Sequence, residues 1–126
     1  MNRTGRLAVL TAAVAGIGAF ALPAAAHADS YTGQFLGTGQ SACVSQYASY
    51  QVRVDGTASN MGAKFRVYRN GVQIAASPTD TTAGYAAEFR SSWGNFPGAG
   101  YYTLCALNKQ STNSFVTVRV RGDAEI

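Results

Sequence analysis

A chain of 126 residues with two cysteines, one histidine and a formal net charge of +4 is long enough for one domain and poor in the side chains most catalysis needs. The lone imidazole, His27, falls within an N-terminal leader, so the remainder has none for a Ser-His or Cys-His nucleophile or for metal ligation. Loss of Arg3 and Arg6 with that leader leaves 8 basic and 6 acidic residues, a net +2 carried by scattered cations, which excludes a nucleic-acid-binding stripe.

Residues 1–28 read as a secretory signal peptide. Arg3 and Arg6 open it, Leu7 to Leu22 form an uncharged apolar run, and Ala26-His27-Ala28 is a small-x-small cleavage site. The run is short, diluted by Ala and Gly and ended by Pro23, unlike a membrane span. The expectation is a secreted, extracellular protein that begins at Asp29 and keeps no membrane contact after cleavage. In an oxidising compartment Cys43 and Cys105, the only cysteines, are expected to form one disulfide.

Residues 29–42, with Tyr31 and Phe35 among polar and glycine breaks, read as an edge strand or a flexible arm suited to strand addition. Residues 43–126 read as a β-sandwich domain. Ala48, Tyr50, Val52 and Val54 point one way along a strand that ends at Asp55-Gly56. Cys43 falls on the opposite phase with Ser45, for which a bulge near Ser45 or Gln46 is the favoured explanation, a late start of the regular strand the other. Next, Lys64–Arg69 and Val72–Ala76 flank Asn70-Gly71, the pattern of a hairpin with a type I′ turn. That turn pairs Arg69 with Val72, Val67 with Ile74 and Phe65 with Ala76, and puts Phe65, Val67, Val72, Ile74 and Ala76 on the core face.

Tyr85, Ala87 and Phe89 alternate with Ala86, Glu88 and Arg90. Trp93 either continues their inward face or stands with Asn95 and Phe96 in a loop. Tyr101 to Leu107 form a strand carrying the second cysteine, and Val116, Val118 and Val120 alternate with Thr117, Arg119 and Arg121. Six or seven such strands without helical periodicity give an all-β fold, a small two-sheet antiparallel sandwich.

A cysteine on an early strand facing one on a late strand resembles immunoglobulin-like sandwiches, which implies that fold with one disulfide. The Ala-rich leader ahead of a small Gly- and Tyr-rich domain is similar to small secreted actinobacterial proteins. Thr103 stands where immunoglobulin-like domains often have Tyr, and Trp93 lies late rather than soon after Cys43. Cys43-Val44, Tyr47, Ser49-Tyr50 and the strand Lys64 to Tyr68 also resemble tendamistat-like amylase inhibitors. That family presents Trp-Arg-Tyr where this chain has Tyr50-Gln51-Val52, and it has two disulfides.

No catalytic residue, metal site or cofactor is expected. Asp80 and Glu88 are the only imaginable carboxylate pair, and no phosphate loop, nucleophile elbow or C-x-x-C is present. Arg121-Gly122-Asp123 spells the integrin tripeptide but ends a strand. Thirteen aromatic residues follow the leader. Of these, Tyr31, Phe35, Tyr47, Tyr68, Trp93 and Phe96, with Tyr101 or Tyr102, are the candidate partner-binding residues, because exposed aromatic rings give large contact area at low entropy cost. The function expected is a secreted, non-catalytic protein-binding domain whose partner is another secreted protein, in the role of an adaptor subunit of a secreted toxin assembly. The alternatives are an inhibitor of a secreted hydrolase, presenting a loop such as 91–100, and a carbohydrate-binding module using Trp93 and the tyrosines.

Overall fold

Val52, Val54, Val116, Val118 and Val120 are fully buried while the residues between them face outward, so the period-two sequence pattern of β3 (Gln51–Ala58) and β8 (Ser114–Gly122) is also their pattern of burial. The computed structural model describes residues 28–126; the signal-peptide reading, Ala28 excepted, lies outside the described residues. The other strands are β1 (Asp29–Leu36), β2 (Ser41–Ala48), β4 (Lys64–Arg69), β5 (Val72–Ala76), β6 (Gly84–Arg90) and β7 (Gly100–Leu107). They form two four-stranded antiparallel sheets, sheet A in the order β1-β8-β3-β6 and sheet B in the order β2-β7-β4-β5. The fold is therefore an all-β, two-sheet sandwich with one disulfide, Cys43–Cys105.

The pairing is nested. β1 pairs with β8, β2 with β7, β3 with β6 and β4 with β5, so the chain is one long hairpin whose tip is the Asn70-Gly71 turn. Successive pairs fall in opposite sheets, and the extra pairings of β3 with β8 and β4 with β7 close each sheet. A long hairpin rolled into two sheets in this way is a jelly roll. Within the sandwich class this differs from the immunoglobulin-like arrangement, where the disulfide joins one sheet to the other. Here Cys43 and Cys105 are direct neighbours on β2 and β7 of the same sheet.

The turn behaves as its sequence requires, with Asn70 at φ 48° and Gly71 at φ 83°. The predicted register holds for Arg69 and Val72 and then slips: Val67 pairs with Ala75, not Ile74, because Ile74 is an extra residue between Gln73 and Ala75. Phe65 accordingly meets Ser77, whose N–H donates to its carbonyl at 2.8 Å, rather than Ala76. Val72 is 67% exposed, since it sits opposite Arg69 beyond the rim of the core.

A second correction concerns the expected strand through Ala48, Tyr50 and Val52. The chain leaves sheet B after Ala48 and enters sheet A at Gln51, and Tyr50 is exposed in the crossing. Asp123 holds that crossing: its carboxylate accepts the N–H of Ser49 at 3.0 Å, the N–H of Tyr50 at 2.9 Å and the Ser49 hydroxyl at 2.9 Å, while its carbonyl accepts Gln51 Nε2 at 2.7 Å. With Arg121 ion-paired to Asp55, the Arg-Gly-Asp triplet is used up inside the fold. Asp123→Ala should cost about 1.5–3 kcal/mol, the range for hydrogen bonds to a charged group, and Asp123→Asn less than half of that. Equal melting temperatures for Asp123→Ala and the parent would show that the crossing holds itself.

β2 carries no bulge. Ala42 and Ala48 face the core and Cys43, Ser45 and Tyr47 face outward throughout. Cys43 is out of phase with Val52 because the two belong to different strands.

Candidate functional site

The outer faces of the two sheets differ in chemistry. On sheet A, charges satisfy one another across three strands. Arg53 contacts Asp55 at 2.9 Å and Glu88 at 2.9 Å, Arg121 reaches Asp55 at 3.1 Å, and Arg90 binds Glu88 and the Gln51 side-chain carbonyl. Arg119 and Asp29 form a two-point pair at the β1 edge. Hydrogen bonds from Arg53 and then Arg90 lower the Glu88 pKa. Burial pushes the Asp55 carboxyl up, and the hydrogen bonds from Arg53 and Arg121 outweigh it and hold the group below the usual range. Arg121 Nε is buried without a hydrogen-bond partner among the described residues. The imagined pair of Asp80 and Glu88 does not form: Asp80 meets Lys109 at 3.2 Å in the loops, away from Glu88.

On sheet B no strand carries Asp or Glu. Register arranges its outer residues in rows. Ser41, Leu107 and Lys64 form one row, Cys43, Cys105 and Arg66 the next, Ser45, Thr103 and Tyr68 the third, and Tyr47 with Tyr101 the fourth. Tyr47 and Tyr101 meet edge to face, with ring centroids 5.3 Å apart and planes at 72°. The Ser45 and Thr103 hydroxyls are 2.6 Å apart beside them. Asn70 Oδ1 accepts the Tyr101 N–H at 2.9 Å and Arg69 donates to the carbonyls of Gly98 and Ala99, so the hairpin tip fixes the loop that leads into β7.

The candidate aromatic residues are divided among three places. Tyr47 and Tyr68 share the outer face of sheet B. Tyr31 and Phe35 lie on the outer face of sheet A, where Phe35, 73% exposed, meets Phe115 edge to face at 4.9 Å. The Phe115 ring covers Gly33, whose missing side chain leaves it room. Trp93 does not continue the core. Asn95 Oδ1 accepts the Arg90 N–H at 2.8 Å and turns the chain into a 3-10 turn, Ser91–Trp93, where Trp93 is 60% exposed with the Arg90 guanidinium 5.1 Å from its ring. Phe96 is half-buried against Tyr102 and closes one end of the core, so little of it is offered to a partner.

Two residues of the sheet B face were not singled out by sequence reasoning, Arg66 and Lys64, and of Tyr101 and Tyr102 it is Tyr101 that faces outward while Tyr102 is buried. The usable signal was phase, since Leu104 and Ala106 point inward and Tyr101 and Cys105 must then point outward together. Among the described residues no group of three or more His, Cys, Asp or Glu is placed to hold a metal ion, and no helix is long and apolar enough to cross a membrane.

No protein-family profile matches the chain and no curated protein matches its sequence. Two solved structures are similar to it at low identity. A de novo designed double-stranded β-helix has a TM-score of 0.40 at 14% identity, covering 73% of this chain and 96% of that one. A mutant of PliG-Ec, a periplasmic inhibitor of g-type lysozyme from Escherichia coli, has a TM-score of 0.45 at 17% identity, covering 76% of this chain and 88% of that one.

Proposed function

We propose that this chain is a secreted, non-catalytic protein-binding domain whose partner is a secreted hydrolase, engaged through the outer face of sheet B. The observation that carries the reading is the combination on that face of the Tyr47–Tyr101 pair, Tyr68, Lys64 and Arg66, with no acidic residue in its strands. Aromatic and arginine side chains are the residue types that dominate binding energy at protein interfaces. A cationic face is complementary to a cleft that holds paired carboxylates, which is how a glycoside hydrolase is built. Strands stapled side by side by Cys43–Cys105 present these groups pre-ordered, which lowers the entropic cost of association.

A second reading has its own observation. Tyr31, Phe35 and Phe115 form another exposed aromatic cluster on the opposite sheet, and two faces suit an adaptor that joins two proteins of a secreted assembly. Carbohydrate binding is less well served, because the edge-to-face tyrosines offer no flat platform for a sugar ring.

Capture from native culture supernatant, followed by mass spectrometry and by activity assays of the captured enzyme, separates the readings. Tyr47→Ala with Tyr101→Ala should weaken the complex by more than about 30-fold, the effect of losing a hot spot of 2 kcal/mol or more. For an inhibitor, Phe35→Ser leaves the affinity unchanged and one partner elutes; for an adaptor, two elute and Phe35→Ser loses one. A panel containing amylases, proteases and a g-type lysozyme, all unaffected at micromolar protein, would count against inhibition.

A further inference from the structure

Five of the six described arginines have partners. Arg53, Arg90, Arg119 and Arg121 are paired with carboxylates, and Arg69 donates to two carbonyls. The Arg66 side chain makes no hydrogen bond or ion pair with any described residue, although it is half-buried. Its place in the register puts it beside Cys105, which lies beside Cys43, so a guanidinium and both sulfur atoms occupy one row across β4, β7 and β2. Cross-strand neighbours on one face have Cβ atoms about 5 Å apart. Lys64 stands in the next row; its ammonium gives one hydrogen bond to the Ser77 carbonyl at 2.6 Å and keeps two donors. Between these rows lies an open depression of about 150 Å³ lined by Ser41, Lys64, Arg66, Tyr68, Cys105 and Leu107.

We propose that this depression is a thiol-exchange site selective for small anionic thiols. The disulfide is on the outside of the sandwich, with Cys43 exposed and Cys105 forming part of the floor. A thiol that carries a carboxylate or sulfonate places that group on Arg66 and Lys64, and the same two cations favour its ionised, nucleophilic sulfur. The thiolate attacks Cys105 Sγ in line with the bond to Cys43. A new S–S bond forms to Cys105, the Cys43–Cys105 bond breaks, and its electron pair leaves on Cys43 Sγ, which is solvated and protonated by water at the exposed β2 edge. One disulfide is exchanged for another and no further oxidant is needed. Exchange unlinks β2 from β7 in the middle of the face that carries Tyr47 and Tyr101, but the chemistry does not depend on what that face binds.

The test compares 2-mercaptoethanesulfonate, 2-mercaptoethanol and cysteamine, which are anionic, neutral and cationic, on the purified disulfide-bonded protein at low ionic strength. Each rate is divided by the rate of the same thiol with bis(2-hydroxyethyl) disulfide, which removes intrinsic reactivity. The anionic thiol should lead the cationic one by about tenfold, a preference that screening by about 0.5 M salt erodes. Arg66→Gln should abolish most of it and Arg66→Lys should keep it. Trapping of the freed thiol and peptide mass analysis should place the mixed disulfide on Cys105. Equal normalised rates for the three thiols, an unchanged order in Arg66→Gln, or adducts on Cys43 would each overturn the proposal.

Discussion

Replacing Cys43 and Cys105 together by alanine is expected to lower the free energy of unfolding by about 4 kcal/mol, because the bond closes a loop of 62 residues in the unfolded chain. Both sulfurs lie on the outer face of sheet B, so their removal opens no cavity and the loss is one of chain entropy. Denaturant titration followed by circular dichroism gives a second signature. Without the cross-link the unfolded state is more extended, and the dependence of stability on denaturant should steepen. A loss below about 1 kcal/mol with an unchanged slope would mean that the unfolded chain is held compact by other contacts.

Phe65→Ala is expected to cost about 3–5 kcal/mol, the range for removing a fully buried aromatic ring. The ring belongs to sheet B but lies across Gly56 of sheet A and stacks on Tyr85 with centroids 6.0 Å apart and planes within 7°. It therefore spans the interior from one sheet to the other, and a small residue on β3 is what admits it. Gly56→Ala sets a methyl group inside the ring's contact distance and should cost about 1–3 kcal/mol as overpacking. The two substitutions are coupled: in the Phe65→Ala background, Gly56→Ala should cost little, since the space it needs is empty. Additive losses in that double-mutant cycle would show that the clash is relieved elsewhere.

What could be read from the sequence follows from which contacts are local. Asn70-Gly71 declares its own turn, and the valines of β3 and β8 declare their own faces, because each signal is complete within a few residues. The division of β2 from β3 is not local. Ala48, Tyr50 and Val52 share a parity that reads as one strand, and the group that breaks it is Asp123, 73 residues beyond Tyr50. Ile74 packs against the core as expected, but its pairing with Val67 fails for a similar reason: the turn fixes the register at Val72 and Gln73, and only the closing contact of Ser77 with Phe65 shows the slip. The position of Trp93 was open because strand parity continues past Arg90 in sequence, while the Asn95 hydrogen bond ends it in space. Of the candidate site, the tyrosines were legible by alternation. Their union with Arg66 and the disulfide was not, since it depends on the order β2-β7-β4.

Nested pairing also decides how the molecule would respond to force. The start of β1 and the end of β8 lie side by side, Asp29 opposite Arg121, and traction on them peels β1 from β8 one rung at a time instead of shearing a whole strand. Peeling stops where Cys43 is tied to Cys105. Roughly 35 of the described residues lie outside that tie, an extension on the order of 120 Å at about 3.4 Å each, and the inner hairpin that carries Phe65 and its turn never feels the load. The bond acts as a mechanical stop, and cutting it would let the whole roll unwind.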